Sequence, residues 1–321
     1  MQDENRNKEA YVFDDEIDLR ELFFIIVKGK RIITYATTFF AITGFIVSLL
    51  LPNIYKSEAM LAPVDQSSSM MDVALSQYSQ LAGLVGINSP TGDGDSNHRK
   101  AIELMSSLNF FENHIMPRIF LPDLMAIESW DNKKNLIIYD SDIYQKNSNT
   151  WVRDFSYPQK LIPSAQESFE VFGDHFNLYE DETTGYINLS IKHKSPLIAK
   201  EWVKLIVEEI NNFYRQKDKE SSEKAVIYLN RQIAQTSLSE IRQVTASLMA
   251  KEIQKLTLIE AKKDYVFEYV YPPSVMEKES EPNRPLVFIF CLLFGVFIGI
   301  IIVFLKHYFF REQNAFKRIG S

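Results

Sequence analysis

The 321-residue chain has one cysteine, Cys291, so no intrachain disulfide can form and a cysteine-rich metal site is excluded. Glycine (11) and proline (12) are scarce, which rules out a collagen-like or linker-rich chain. A basic excess is missing too. The formal net charge is −7, and a protein that coats nucleic acid needs a basic face for the phosphates. Catalytic signatures are absent. The histidines are His98, His114, His175, His193 and His307, and no pair has the spacing of a helical zinc site. There is no HExxH, no phosphate-cradling GxxxxGK[ST] and no GxSxG. Asp93, Asp95 and Asn97 imitate the first three ligands of a calcium loop. His98 stands where that loop requires glycine, and Leu104 stands in place of the final glutamate, so a polar surface loop is the reading. The residues thus predict no enzyme activity, no cofactor and no metal.

What is present is strongly apolar. Hydrophobic residues make up 46% and aromatics 13%, enough to build a core. The segments 32–51 and 286–305 carry no charge. As helices each would be about 30 Å long, the thickness of a bilayer core. Both read as membrane spans, although the first holds Thr34, Thr37, Thr38, Thr43 and Ser48. Lys28, Lys30 and Arg31 precede the first span, and Lys306, Arg311, Lys317 and Arg318 follow the second. The positive-inside rule then puts both termini in the cytoplasm. The first span follows about 30 hydrophilic residues and has no small-x-small cleavage pattern, unlike a signal peptide. The expected organisation is a cytoplasmic segment 1–31, a span 32–51, an exported domain 52–285, a second span 286–305 and a cytoplasmic tail 306–321. The insert holds 33 acidic against 25 basic residues and no thiol. The tail over 306–321 is too short to be an output domain.

Within the insert, residues 53–61 alternate as a strand, with Tyr55, Ser57, Ala59 and Leu61 on one side. Residues 70–87 follow with a small and apolar run, and 88–97 read as a loop. A helix is expected over 98–115, burying Ile102, Met105 and Phe110. Prolines break 116–165 repeatedly. Three short strands are expected at 168–172, 175–179 and 186–192, the last with Ile187, Leu189 and Ile191 facing one way. From Leu197 to Tyr271 there is neither Gly nor Pro. Ser195-Pro196 opens this stretch as a helix start. The expectation is one helix to about Gln235, a second over 239–262, and a strand over 265–271. The first of these helices would be about 60 Å long, more than a compact domain needs. It must project or pack along neighbours. An α+β fold follows: two transmembrane helices flank an exported domain with a membrane-proximal base and a long projecting helix.

Few residues stand out as sites. The run 215–224 could bind an anionic sugar or phosphate, but a solvated helix face with i,i+4 charge pairs is the simpler reading. Trp130 and Trp151 could stack on sugars, and burial in a loop-rich domain is the simpler reading for them as well. Gly295 and Gly299 form a GxxxG in the second span, a spacing that lets helix backbones approach closely, between chains or against the first span.

Several segments together resemble a family. Asp15-Glu-Ile-Asp-Leu-Arg-Glu-Leu22, followed by Lys28-Gly-Lys30 and a span, resembles the opening of the polysaccharide co-polymerases, the Wzz-type chain-length determinants. Asn53-Ile-Tyr-Lys-Ser-Glu-Ala59 is similar to their first exported strand, and Ser195-Pro196 to the start of their long helix. Before the second span, Pro272 and Ser280 stand at the separation of the family's proline-rich pattern, and Gly295 and Gly299 match its glycines. Val275 replaces the second proline. Glu281-Pro282 replaces the family's Pro-Lys, with Arg284-Pro285 just beyond.

The resemblance implies a non-enzymatic inner-membrane protein of the class without a fused tyrosine kinase. It implies a ring-like homo-oligomer that acts with a Wzy-type polymerase on a lipid-linked polysaccharide, and sets the chain length of a surface polysaccharide such as lipopolysaccharide O-antigen. The functional residues it points to are Pro272, Ser280, Pro282, Arg284, Pro285, Gly295 and Gly299, at the junction and in the span. Three other readings share the topology: a polysaccharide-export adaptor working with a separate cytoplasmic kinase, a two-span periplasmic sensor, and an anchored hydrolase. No motif supports the last.

Overall fold

The computed structural model of the chain describes residues 19–64 and 93–319. The run at 70–87 lies outside the described residues. The chain divides into two compact units, one formed by residues 1–52 and 281–321, the other by 53–280.

The first unit is helical. It comprises α1 (Leu19–Lys28), α2 (Lys30–Leu50) and, from the far end of the chain, a helix Arg284–Ile319. Lys30–Leu50 and Arg284–Phe309 are long and apolar enough to cross a membrane. The last helix continues through most of the segment expected as a tail. Asn283 caps its start: its carbonyl accepts from Val287 N (3.0 Å) and its side chain from Leu286 N (3.4 Å). The threonines of α2 do not interrupt the span. Thr34, Thr37 and Thr43 donate their hydroxyls to the carbonyls of Lys30, Ile33 and Phe39 at 2.8–2.9 Å. Each polar group is thereby satisfied within its own helix, as a lipid environment demands.

The second unit is α+β. Apart from short helical turns over Leu108–Phe110, Phe111–Ile115 and Met116–Arg118, its described elements run β1 (Tyr55–Pro63), α3 (Asp93–Met105), α4 (Leu121–Met125), β2 (Ile127–Asp131), β3 (Leu136–Tyr139), β4 (Tyr144–Gln145), β5 (Thr150–Trp151), α5 (Ala165–His175), β6 (Phe176–Glu180), β7 (Ile187–His193), α6 (Pro196–Gln235), α7 (Ser239–Ala261) and β8 (Phe267–Tyr271). The membrane helix Arg284–Ile319 is then α8. The main sheet is antiparallel in the order β6-β7-β1-β8, and two small hairpins, β2-β3 and β4-β5, stand apart from it.

The alternation of β1 buries Tyr55, Ser57, Ala59 and Leu61. Across the ladder, Ile187, Leu189 and Ile191 of β7 face the same core, opposite Leu61, Ala59 and Ser57. Phe267 of β8 completes the face. The first half of α6 covers it with Ile198, Trp202, Val203, Ile206 and Ile210. Ile198, Trp202, Ile206 and Ile210 recur every four positions, with Val203 beside them, and make one apolar stripe in which each buried side chain contributes about 1.5–3 kcal/mol. Asn211, inside this interface, clamps helix to sheet. Its Oδ1 accepts from Val266 N (2.8 Å) and Phe267 N (2.9 Å), and its Nδ2 donates to Phe267 O (2.9 Å).

Three expectations fail locally. Residues 168–172 are helical, within α5, rather than a strand. Ser164 accepts from Glu167 N (3.2 Å), and the Ser-x-x-Glu spacing is a capping box. Phe169 and Phe172 then fall on one helical face. Residues expected in a loop at 93–97 open α3, where acidic residues suit a helix N-terminus. The helix expected over 98–115 is broken at Ser107. Its hydroxyl donates to Leu104 O (2.7 Å) and accepts from Phe110 N (3.2 Å), ending one helix and capping the next turn. Trp130 and Trp151 are half-buried in aromatic packing, against Tyr55 and Tyr144 respectively.

The turn from β7 into α6 is locked by His193, 1% exposed. Its Nδ1 accepts from Ser195 N (2.9 Å), and its Nε2 donates to Asp123 O (2.9 Å), tying the turn to α4. Burial holds its pKa down, at about 4. An unfolded histidine protonates near 6.5. Between those values the unfolded chain binds the extra proton, so stability falls as pH drops from about 6.5 towards 4. Urea unfolding across this range should show the slope. In His193→Asn, which keeps an acceptor for Ser195 N, the slope should shrink.

Candidate functional site

The sequence-predicted residues divide between the two units. Pro272 and Ser280 belong to the unit of the sheet. There the segment after β8 returns along the start of β1: Ser57 Oγ donates to Ser274 O (2.9 Å), and Ser280 N donates to Ile54 O (2.8 Å). Pro282, Arg284, Pro285, Gly295 and Gly299 belong to the helical unit. Pro285 occupies the first turn of α8, where the missing N–H costs nothing.

Gly295 and Gly299 sit one helical turn apart on the face of α8 that meets α2. A Cβ at Gly295 would lie 2.9 Å from Thr37 Cα and 3.0 Å from Phe40 Cβ. A Cβ at Gly299 would lie 2.9 Å from Ile33 Cα. The nearest obstructing atoms are main chain, which cannot swing aside as a side-chain tip can. The glycines therefore set the distance between the two helices. Phe40 and Phe294 seal the contact edge to face, with centroids 5.3 Å apart.

The partner glycines, Gly44 on the first span and Gly29 just before it, escaped sequence reasoning. A Cβ at Gly44 would lie 2.5 Å from Cys291 Cβ, and one at Gly29 would collide with Val303. Gly29, Ile33, Ala36, Phe40 and Gly44 follow one another at intervals of three or four positions. The two glycines are separated by just over four helical turns. That periodicity was the available signal.

The helical pair α6–α7 is the other candidate surface. Beyond Tyr214 the first half's cover ends, and Ser222 is buried in the second half of α6. The two helices are joined by Lys219–Glu260 (2.5 Å) and by Arg215, which donates to the carbonyls of Lys262 and Lys263. Tyr265 Oη donates to Asp218 Oδ2 (2.6 Å). The charged run 215–224 thus pairs across to the second helix and the turn after it, as well as along its own face. On α7 and the residue before it, Leu238, Ile241, Val244 and Leu248 form a stripe at helical spacing. It is exposed, with Ile241 at 50% and Val244 at 53%.

Among the described residues no group of three or more His, Cys, Asp or Glu side chains could hold a metal ion. Residues 15–115 match the family model Wzz, described as chain length determinant protein. The matched segment contains the whole α2 face against which Gly295 and Gly299 pack, as well as β1. A solved full-length bacterial polysaccharide co-polymerase is 14% identical, with a TM-score of 0.39, covering 93% of this chain and 100% of that one. A fragment of WzzB, a polysaccharide co-polymerase from Salmonella Typhimurium, is 14% identical, with a TM-score of 0.29, covering 71% and 100%. No curated protein matches.

The helix contact is directly testable. In a Cys291→Ala background, cysteines placed by Phe40→Cys and Phe294→Cys should cross-link within one chain in membranes. Adding Gly295→Leu or Gly299→Leu should lower the cross-linked fraction several-fold. Overpacking of this kind costs about 1–3 kcal/mol.

Proposed function

We propose that this chain sets the length of a surface polysaccharide, lipopolysaccharide O-antigen, as an oligomeric scaffold in the inner membrane that works with a Wzy-type polymerase. The observation that carries the reading is the Wzz match over residues 15–115, which spans the first membrane helix and a central strand of the sheet. In this reading both termini are cytoplasmic and residues 52–285 face the periplasm. The basic flanks of the two spans support that orientation.

Chain-length control needs no bond chemistry from the regulator. It needs a surface whose size and residence time bias when the polymerase releases the growing polymer. The exposed apolar stripe of α7 supports assembly, because it is costly to leave in water and is the right chemistry for contact with further copies. The spans and the proline-rich approach, with Pro272, Ser280, Pro282, Arg284 and Pro285, are the proposed seat of the polymerase. Prolines suit that place because they hold the lead into the membrane stiff and non-helical.

Surface polysaccharide from cells with and without the gene tests the proposal on a gel. The expected result is a ladder clustered at one length that becomes random and mostly short on deletion, and clusters again on complementation. Loss of all polymer would point instead to an export adaptor. An unchanged ladder would overturn the proposal.

A further inference from the structure

Both chain connections to the spans leave the second unit at one place, and the hairpin β2-β3 stands beside it. Tyr55, which opens β1, comes five positions after Leu50, the last residue of α2, a reach of at most about 18 Å. Ser280, whose N–H is bonded to Ile54 O, comes four positions before Arg284, the first residue of α8. Trp130 of β2 packs edge to face on Tyr55, with centroids 5.4 Å apart. The hairpin is therefore held at the end of the unit where the chain arrives from one span and leaves for the other.

The two faces of the hairpin differ. Trp130 lies opposite Ile137, and this face turns inward, with Ile137 against the core. The other face of β3 carries Leu136 and Ile138, 50% and 46% exposed. Between the strands, the turn presents Lys133 and Lys134, both exposed. Their main-chain N–H groups donate to Asp131 Oδ1 (2.9 and 3.3 Å), which draws that carboxylate into the turn, and Trp130 Nε1 donates to Asn135 Oδ1 (3.0 Å). These bonds fix the shape of the tip. The other acid of β2, Glu128, has Lys194 beside it, whose Nζ donates to the carbonyls of Ile127 (2.8 Å) and Glu128 (3.0 Å).

We infer that this hairpin lies on the bilayer surface and binds anionic lipid headgroups. Lys133 and Lys134 meet the phosphates, and Leu136 and Ile138 enter the boundary between headgroups and acyl chains. Basic residues next to a short apolar face are the chemistry of an interfacial anchor, and an indole at the same level suits the wet–dry boundary. Leu136 and Ile138 alone would suit a protein partner equally well. The two ammonium groups and the short chain to α2 favour lipid. The inference rests on the reading of α2 as a membrane span, and gives the exported unit a lipid contact besides its two chain connections.

The test uses the full chain with Cys291→Ala, in nanodiscs of phosphatidylglycerol and phosphatidylcholine. A polarity-sensitive dye is attached at Ile138→Cys, and a lipid carrying a nitroxide at the headgroup level is the quencher. The reference label sits at Thr183→Cys. That residue lies in the turn before Ile187, which pairs with Leu61, so it is at the far end of the sheet from Tyr55. A third label at Phe45→Cys, exposed on α2, reads the span itself with an acyl-chain nitroxide. The Ile138→Cys label should be blue-shifted and quenched severalfold more than the reference. Lys133→Ser/Lys134→Ser keeps the main-chain bonds of the turn and should lower the bound-to-free ratio about fivefold for each lysine. With Phe45→Cys quenched, an Ile138→Cys label no more quenched than the reference would overturn the inference and leave the span standing. So would a blue-shifted label that lipid does not quench, which would mark a second copy or another protein on this face. Quenching indifferent to the two lysines would overturn the headgroup contact. Failure to quench Phe45→Cys would overturn the span reading and the inference with it.

Discussion

The sheet is shorter than the helix that covers it, and the rest of the second unit follows from that mismatch. The seven residues of β7 extend about 23 Å, whereas the 40 residues of α6 extend about 60 Å. Only the first half of the helix can be held by the sheet. There the stripe from Ile198 to Ile210 and the Asn211 clamp provide hydrophobic burial and three directed hydrogen bonds. The second half lacks that cover and has α7 as its packing partner. Absence of Gly and Pro across this stretch is therefore a requirement, since either would weaken a helix that has little tertiary support. Ion pairs such as Lys219–Glu260 fix the register of the two helices but, being exposed, contribute little to stability. The apolar residues Ile241, Val244 and Leu248 of α7 stay exposed in this pair.

In the helical unit a different constraint rules. Two helices in lipid gain nothing from hydrophobic burial against each other, so close packing must come from shape. Gly29 and Gly44 on one side, Gly295 and Gly299 on the other, remove the side chains that would keep the backbones apart. Thr34, Thr37 and Thr43 return their hydroxyls to their own helix and leave the contact to small and aromatic side chains. The family match reaches only one of these two spans. The complementary face on the other is known from geometry, through Gly295 and Gly299.

Much of this was legible in the residues. Long uncharged runs mark the spans, and strict alternation marks β1 and β7. The Ser-Pro opening and the Gly- and Pro-free stretch mark α6 and α7. Failures came where short apolar runs carry no period of their own. Ser168 to Phe172 has the composition of a strand, and only the Ser164–Glu167 cap reveals a helix. Ser107 has the look of an ordinary polar residue in a helix, yet it ends one and caps the next. The candidate sites were less legible still. Gly295 and Gly299 were visible because their spacing is short, whereas Gly29 and Gly44 lie about four turns apart. Leu136 and Ile138 read as ordinary apolar residues in a stretch broken by prolines, and only the pairing of β2 with β3 shows that they share one bare face.

In the proposed reading the two surfaces divide the work: glycine-set spans hold the chain in the membrane, and the exposed apolar surface of the α6–α7 pair is covered by other copies. The most direct test of that assembly is the native mass of the full chain in lipid particles, measured for the wild type and for Ile241→Glu/Val244→Glu. The account predicts an assembly of several copies for the wild type and single copies for the variant, with helix content unchanged. A wild type that runs as one copy, or a variant that assembles as the wild type does, would contradict it.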